Sequence, residues 1–95
     1  MLNKEVLKKI VKIKKLENKD IIEVGPGTGE LTKYILKENP KSLICIEKDL
    51  ELKKYLEKIV ATYPDKVNVI YDDIKKINIK NFYKKKRKII IGNLP

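Results

Sequence analysis

Residues 21–29, Ile-Ile-Glu-Val-Gly-Pro-Gly-Thr-Gly, decide the fold. A four-residue run, apolar except for Glu23, leads straight into Gly25, Gly27 and Gly29. So short a run, closed by Gly25-Pro26-Gly27, predicts a buried β-strand that ends in a tight loop. Helical spacing begins at Glu30 or Leu31, continues through Tyr34 and Ile35, and must stop before Pro40. Strand, glycine loop and helix in this order form a setting in which the backbone can approach a bound ligand closely.

The same alternation extends outward. Ser42–Ile46 is a second apolar run, bounded by Pro40 and the charged Glu47–Asp49. Residues 50–63 predict a helix with Leu52, Leu56, Ile59 and Val60 on one face, ending before Pro64. Val67–Tyr71 and Ile89–Ile91 are the third and fourth strands, and residues 3–15 predict a further helix with Asn3 as its N-cap. Strands that alternate with helices imply right-handed βαβ units and a parallel sheet. The last strand is followed at once by the end of the sequence. The expected architecture is therefore a parallel α/β sheet, helices on both faces, truncated after the fourth strand. That strand is expected to be an unpaired edge.

Composition bounds the function. The 95 residues allow one domain, and no apolar run is long enough to span a membrane. The N-terminus lacks the uninterrupted apolar stretch of a secretory signal. Cys45 is the single cysteine, which permits no intramolecular disulfide and fits a reducing cytoplasm. Histidine is absent, which excludes a Ser-His-Asp triad and removes the commonest metal ligand, so no metal is expected. The formal net charge of +10 sits at two flanks. Residues 1–19 carry +5, residues 20–79 carry −1, and Lys80–Lys88 carries +6 with no acid. Lys84, Lys85, Lys86 and Arg87 form a candidate RNA-binding run, with Phe82 and Tyr83 beside it as possible stacking rings. The same lysines also fit a solvated face, and the 22 Lys, 15 Ile and seven Asn fit an AT-rich coding bias.

The glycine loop does not suit a dinucleotide. From either Gly25 or Gly27 the third glycine of G-x-G-x-x-G is missing, and no P-loop Lys-Ser or Lys-Thr follows. With Glu23 at its foot, the loop suits a cofactor without a pyrophosphate. Two further acidic positions fall at strand ends, where open α/β sheets hold their ligands. Glu47 can accept both hydroxyls of a ribose, and Asp72 or Asp73 can accept the amine of an adenine. Each acid alone would be an ordinary turn or cap residue; together with the loop they point to an adenosine-containing cofactor. Asn93, in Gly92-Asn-Leu-Pro95, follows the fourth strand at the same crevice. An Asn carbonyl and a Pro backbone carbonyl there could accept both protons of an adenine amine and free its delocalised lone pair.

EVGPGTGELT, IEKD, YDDI and GNLP, in this order and spacing, resemble the rRNA adenine dimethyltransferases of the KsgA type over nearly the whole chain. The resemblance implies a Rossmann-like class I methyltransferase sheet and S-adenosylmethionine as cofactor. Glu23, Gly25 and Gly27 would lie around the methionine part, Glu47 at the ribose, Lys48 beside the adenine and Asp73 at its amine. Asp72 stands where the family usually has Gly. Asn93, Leu94 and Pro95 would be the first three residues of the catalytic Asn-Leu-Pro-Tyr motif, whose target adenine must leave its stack. The Tyr, the family's N-terminal Gly-Gln-Asn-Phe segment, the last three strands and the C-terminal helical domain have no counterpart in the sequence. Residues 1–95 are thus expected to be a partial cofactor-binding domain, a cytoplasmic monomer acting on rRNA or the pre-ribosomal small subunit. The alternative is a non-catalytic basic RNA-binding module.

Overall fold

The computed structural model describes residues 15–77 and 88–92. Four strands form one parallel sheet: β1 (Asp20–Val24), β2 (Ser42–Glu47), β3 (Val67–Tyr71) and β4 (Lys88–Gly92). Helix α1 (Glu30–Lys37) links β1 to β2, and α2 (Lys53–Thr62) links β2 to β3. The strand order is β3-β2-β1-β4. The chain steps outward twice from β1, then returns to add β4 on the other side of β1. That reversal creates a switch point at the carboxyl end of β1. All four strands match the expected parallel sheet. As expected, β4 is an edge strand: it ends the sheet order and pairs only with β1 among the described residues, from Asp20↔Lys88 to Val24↔Gly92. Only its outer side is an edge.

Period-two alternation divides the core. Ile21, Leu43, Cys45 and Ile91 join Leu31, Ile35 and Leu36 of α1 and Leu56 and Ile59 of α2. Ile22, Val24 and Ile46 belong to a second cluster, against which Ile44, Ile70, Ile74 and Ile77 pack, with no α-helix over it among the described residues. The helix expected at residues 3–15 lies outside the described residues. No helix among those described is long and apolar enough to cross a membrane.

Helix α1 begins at Gly29, whose φ of 94° no side-chain cap accompanies, and carries Glu30 in its first turn and Lys37 in its last. Both charges complement the helix dipole. Asn39, with φ 55°, turns the chain into Pro40, so the helix ends as predicted. The helix predicted over 50–63 is shorter. Asp49 accepts the Glu51 N–H at 3.0 Å and holds Leu50–Leu52 in a single 3₁₀ turn, so the α-helix starts only at Lys53. Leu50 is left 66% exposed.

Candidate functional site

The parallel register brings the residues that follow β1, β2 and β3 to one edge of the sheet. Val24 pairs with both Ile46 and Gly92, Glu47 pairs with Tyr71, and the Gly25 N–H extends the ladder to the Ile46 carbonyl at 2.9 Å. The glycine loop, Lys48, Asp72 and Asp73 therefore share this edge. Asn93 follows Gly92 in the chain, but Asn93, Leu94 and Pro95 lie outside the described residues, as do Lys84, Lys85, Lys86 and Arg87.

Glu47 ties the loop in place. Its Oε1 accepts the Gly27 N–H and its Oε2 accepts the Asp49 N–H, both at 3.0 Å, and the side chain is buried. One carboxylate thus fixes the glycine loop to the end of β2. With one donor on each oxygen, it retains two acceptor positions for a ligand. Gly27 has φ 61°, and a Cβ built on it would meet nothing within 4 Å. Backbone there faces open space, so only the left-handed conformation calls for glycine. Gly29 is different: a Cβ on it would overlap Cδ1 of Ile59 in α2. Its absence of a side chain serves packing.

Glu23 is fully buried in β1, between Cys45 of β2 and Ile91 of β4 in register. Its Oε1 accepts the Thr32 hydroxyl at 2.6 Å and the Cys45 thiol at 3.6 Å. Its Oε2 has no hydrogen-bond partner among the described residues. Burial pushes the carboxyl up to about 7, with Glu47 adding to the rise and the Thr32 and Cys45 bonds opposing it. Burial, with Glu23 beside it, also pushes the Cys45 thiol far above its usual range.

At the end of β3, Asp73 Oδ1 accepts the Lys75 N–H at 2.9 Å and caps the 3₁₀ turn Ile74–Lys76. Asp72 is exposed and turns back onto the Asp73 N–H at 2.7 Å. Both acids stand at the crevice; Asp73 is the more enclosed. Lys48 is exposed directly beyond Glu47.

Sequence reasoning missed Thr32 and Cys45. It placed Tyr34 on the inward face of α1, whereas Thr32 and Leu36 are buried there and Tyr34 only partly. The available signal was the acid at Glu23: a buried carboxylate demands donors, and Thr32 is the hydroxyl that the first turn of α1 can offer.

All 95 residues match the family model of ribosomal RNA adenine dimethylase. A ribosomal RNA small subunit methyltransferase A from Pelagibacter ubique is 41% identical over the whole chain and 35% of its own length. One from a Wolbachia of Drosophila simulans is 40% identical over the same shares. The chain thus spans about a third of the length of these curated relatives. A dimethyladenosine transferase from Plasmodium falciparum superposes with a TM-score of 0.78 at 25% identity, covering 98% of this chain and 32% of that one. The 23S rRNA methyltransferase ErmE, 20% identical with a TM-score of 0.78, shares the fold over the whole chain and 37% of its own.

Proposed function

The chain belongs to the ribosomal RNA adenine dimethylase family, and on that premise we propose that residues 1–95 form the cofactor-binding part of an S-adenosylmethionine-dependent enzyme that dimethylates adenine in small-subunit rRNA. The observation that carries the reading is the glycine loop held by Glu47, two residues beyond a buried Glu23 whose Oε2 has no hydrogen-bond partner among the described residues. That arrangement fits the cofactor chemically. A buried carboxyl two residues before the loop suits a ligand that bears an ammonium and a sulfonium better than an uncharged one.

In this reading Glu23, Gly25 and Gly27 serve the methionine part. Glu47 uses its remaining acceptor positions on the ribose hydroxyls. Lys48 lies beside the adenine, and Asp73 accepts from its amine. The cofactor, when bound, supplies an electrophilic methyl group on its sulfonium. Asn93 and Pro95, with Leu94 between them, accept hydrogen bonds from the target adenine's amine through their carbonyl oxygens and hold its nitrogen lone pair toward that methyl, and the proton the amine loses on methylation passes to solvent. Lys84, Lys85, Lys86 and Arg87 engage the RNA phosphates, and the protein acts as a cytoplasmic monomer without a metal or membrane.

Calorimetric titration with S-adenosylmethionine, with circular dichroism on the same sample, tests the reading. Saturable binding that Glu47→Ala and Asp73→Ala abolish, with RNA affinity retained, is the expected result. RNA binding that is lost on neutralising Lys84–Arg87, with no cofactor binding by a folded chain, would instead leave a basic RNA-binding module.

A further inference from the structure

A buried carboxylate normally has a cation or a full set of donors beside it. Glu23 has neither among the described residues. The groups that face it are the Thr32 hydroxyl from α1, the Cys45 thiol and Glu47 from β2, and the apolar Ile91 from β4. None is cationic, and the charged one, Glu47, has the same sign as an ionised Glu23. Two donors serve Oε1 and none serves Oε2, yet the residue stands two positions before the glycine loop at the switch point of the sheet.

We propose that below neutral pH Glu23 is a neutral, protonated carboxyl in the free chain, and that a cationic group bound at the glycine loop drives its proton into solvent, so that occupancy of the site and ionisation of Glu23 are linked. The proposal rests on the cofactor reading above, to which it adds a coupling between ligand charge and proton release. The balance is simple. The carboxyl O–H bond breaks, the proton passes to buffer, and the carboxylate left behind offsets the positive charge that has arrived. Direct contact is not required, because an opposite charge a few ångströms away in a poorly solvated setting lowers a carboxyl's affinity for its proton. Thr32 is the positioning residue of the device: its hydroxyl favours the ionised form and fixes Oε1.

The test is titration calorimetry with S-adenosylmethionine in two buffers of different ionisation enthalpy, at pH 6 and pH 8, on the chain and its Glu23→Gln variant. Proton exchange by the ligand's own amine is common to both proteins and cancels in the difference. With the Glu23 carboxyl at about 7, linkage predicts that the chain releases about 0.9 proton more than the variant at pH 6 and about 0.1 more at pH 8. Affinity should strengthen up to about tenfold per pH unit approaching neutrality, then level off. The same titration with S-adenosylhomocysteine, which lacks the sulfonium, separates the two cationic groups. A smaller release assigns the effect to sulfur, and an equal release assigns it to the ammonium.

Thr32→Val keeps Glu23 but removes its donor, so its proton release at pH 8 should exceed that of the parent. Saturable binding with no difference between chain and Glu23→Gln at pH 6, or no increase in Thr32→Val, overturns the linkage and leaves the cofactor reading standing. Absence of binding at both pH values, by a chain that circular dichroism shows to be folded, overturns the cofactor reading and the linkage with it.

Discussion

Replacing Gly29 by Ala makes two demands on the structure that can be separated. The first is backbone strain. Gly29 sits at φ 94° and ψ 19°, accepting the Lys33 N–H at 3.1 Å and donating to the Pro26 carbonyl at 3.0 Å, so the loop cannot relax without losing the start of α1. An L-residue held in such a conformation costs about 1–3 kcal/mol. The second is overlap. The new Cβ would collide with Cδ1 of Ile59, the far end of that side chain, and would lie 3.7 Å from Ile59 Cγ1 and Leu56 Cδ2, so Ile59 must shift to make room. Overpacking of this kind costs about 1–3 kcal/mol. The total, about 2–6 kcal/mol, is a large share of the stability of so small a domain. Ile59→Val removes the colliding Cδ1 and by itself costs about 0.5–1.5 kcal/mol. The double variant should therefore be less destabilised than the sum of the singles, by about 1–2 kcal/mol, while the backbone part remains. Urea denaturation of the four proteins, followed by circular dichroism at fixed pH, measures this coupling. Effects that add to within about 0.5 kcal/mol would refute the argument that Gly29 is glycine because of Ile59.

Stability should respond to pH through Glu23. Its carboxyl lies at 4.5 in an ordinary setting and at about 7 when folded, so the native state binds the proton more tightly than the unfolded chain. The resulting stabilisation is complete below about 4.5 and is lost as pH rises through about 7, an effect of about 3 kcal/mol. The stability of Glu23→Gln relative to the parent should accordingly improve from pH 5 to pH 8, and parallel denaturation profiles would count against it. Glu47→Ala removes the acceptor of the Gly27 and Asp49 N–H groups. Hydrogen exchange at those two amides should accelerate by about tenfold or more, a bond to a carboxylate contributing about 1.5–3 kcal/mol. Unchanged protection would mean that the loop is held by something else. Cys45, fully buried with its thiol hard to ionise, should resist alkylation in the folded chain and react readily in denaturant. Equal rates in both conditions would contradict the packing around Glu23.

Much of the architecture was legible because apolar runs and breakers act locally. Ile21–Val24, Ser42–Ile46 and Val67–Tyr71 are strands within a residue of their expected limits, since glycine, proline and charge bound each run. The start of α2 was not legible. Hydrophobic spacing extends unbroken through Leu52, and the competing Asp49 side chain, which captures the Glu51 N–H, leaves no trace in that spacing. The acids at the strand ends could also be foreseen, because a parallel α/β chain must deliver the ends of its strands to one edge.

What the sequence by itself determined, among the described residues, is the succession of strands and helices, their parallel sense and the acids that fall at the strand ends. All of these follow from patterns a few residues long. Only the tertiary structure decided that β4 lies beside β1, that Glu23 is enclosed between Cys45 and Ile91 with Thr32 as its donor, and that Glu47 holds Gly27. It likewise showed that Gly29 packs closely against Ile59. Each of these is a contact between residues far apart in the chain. Such contacts depend on strand order and register, which the packing of whole faces selects and no local pattern specifies.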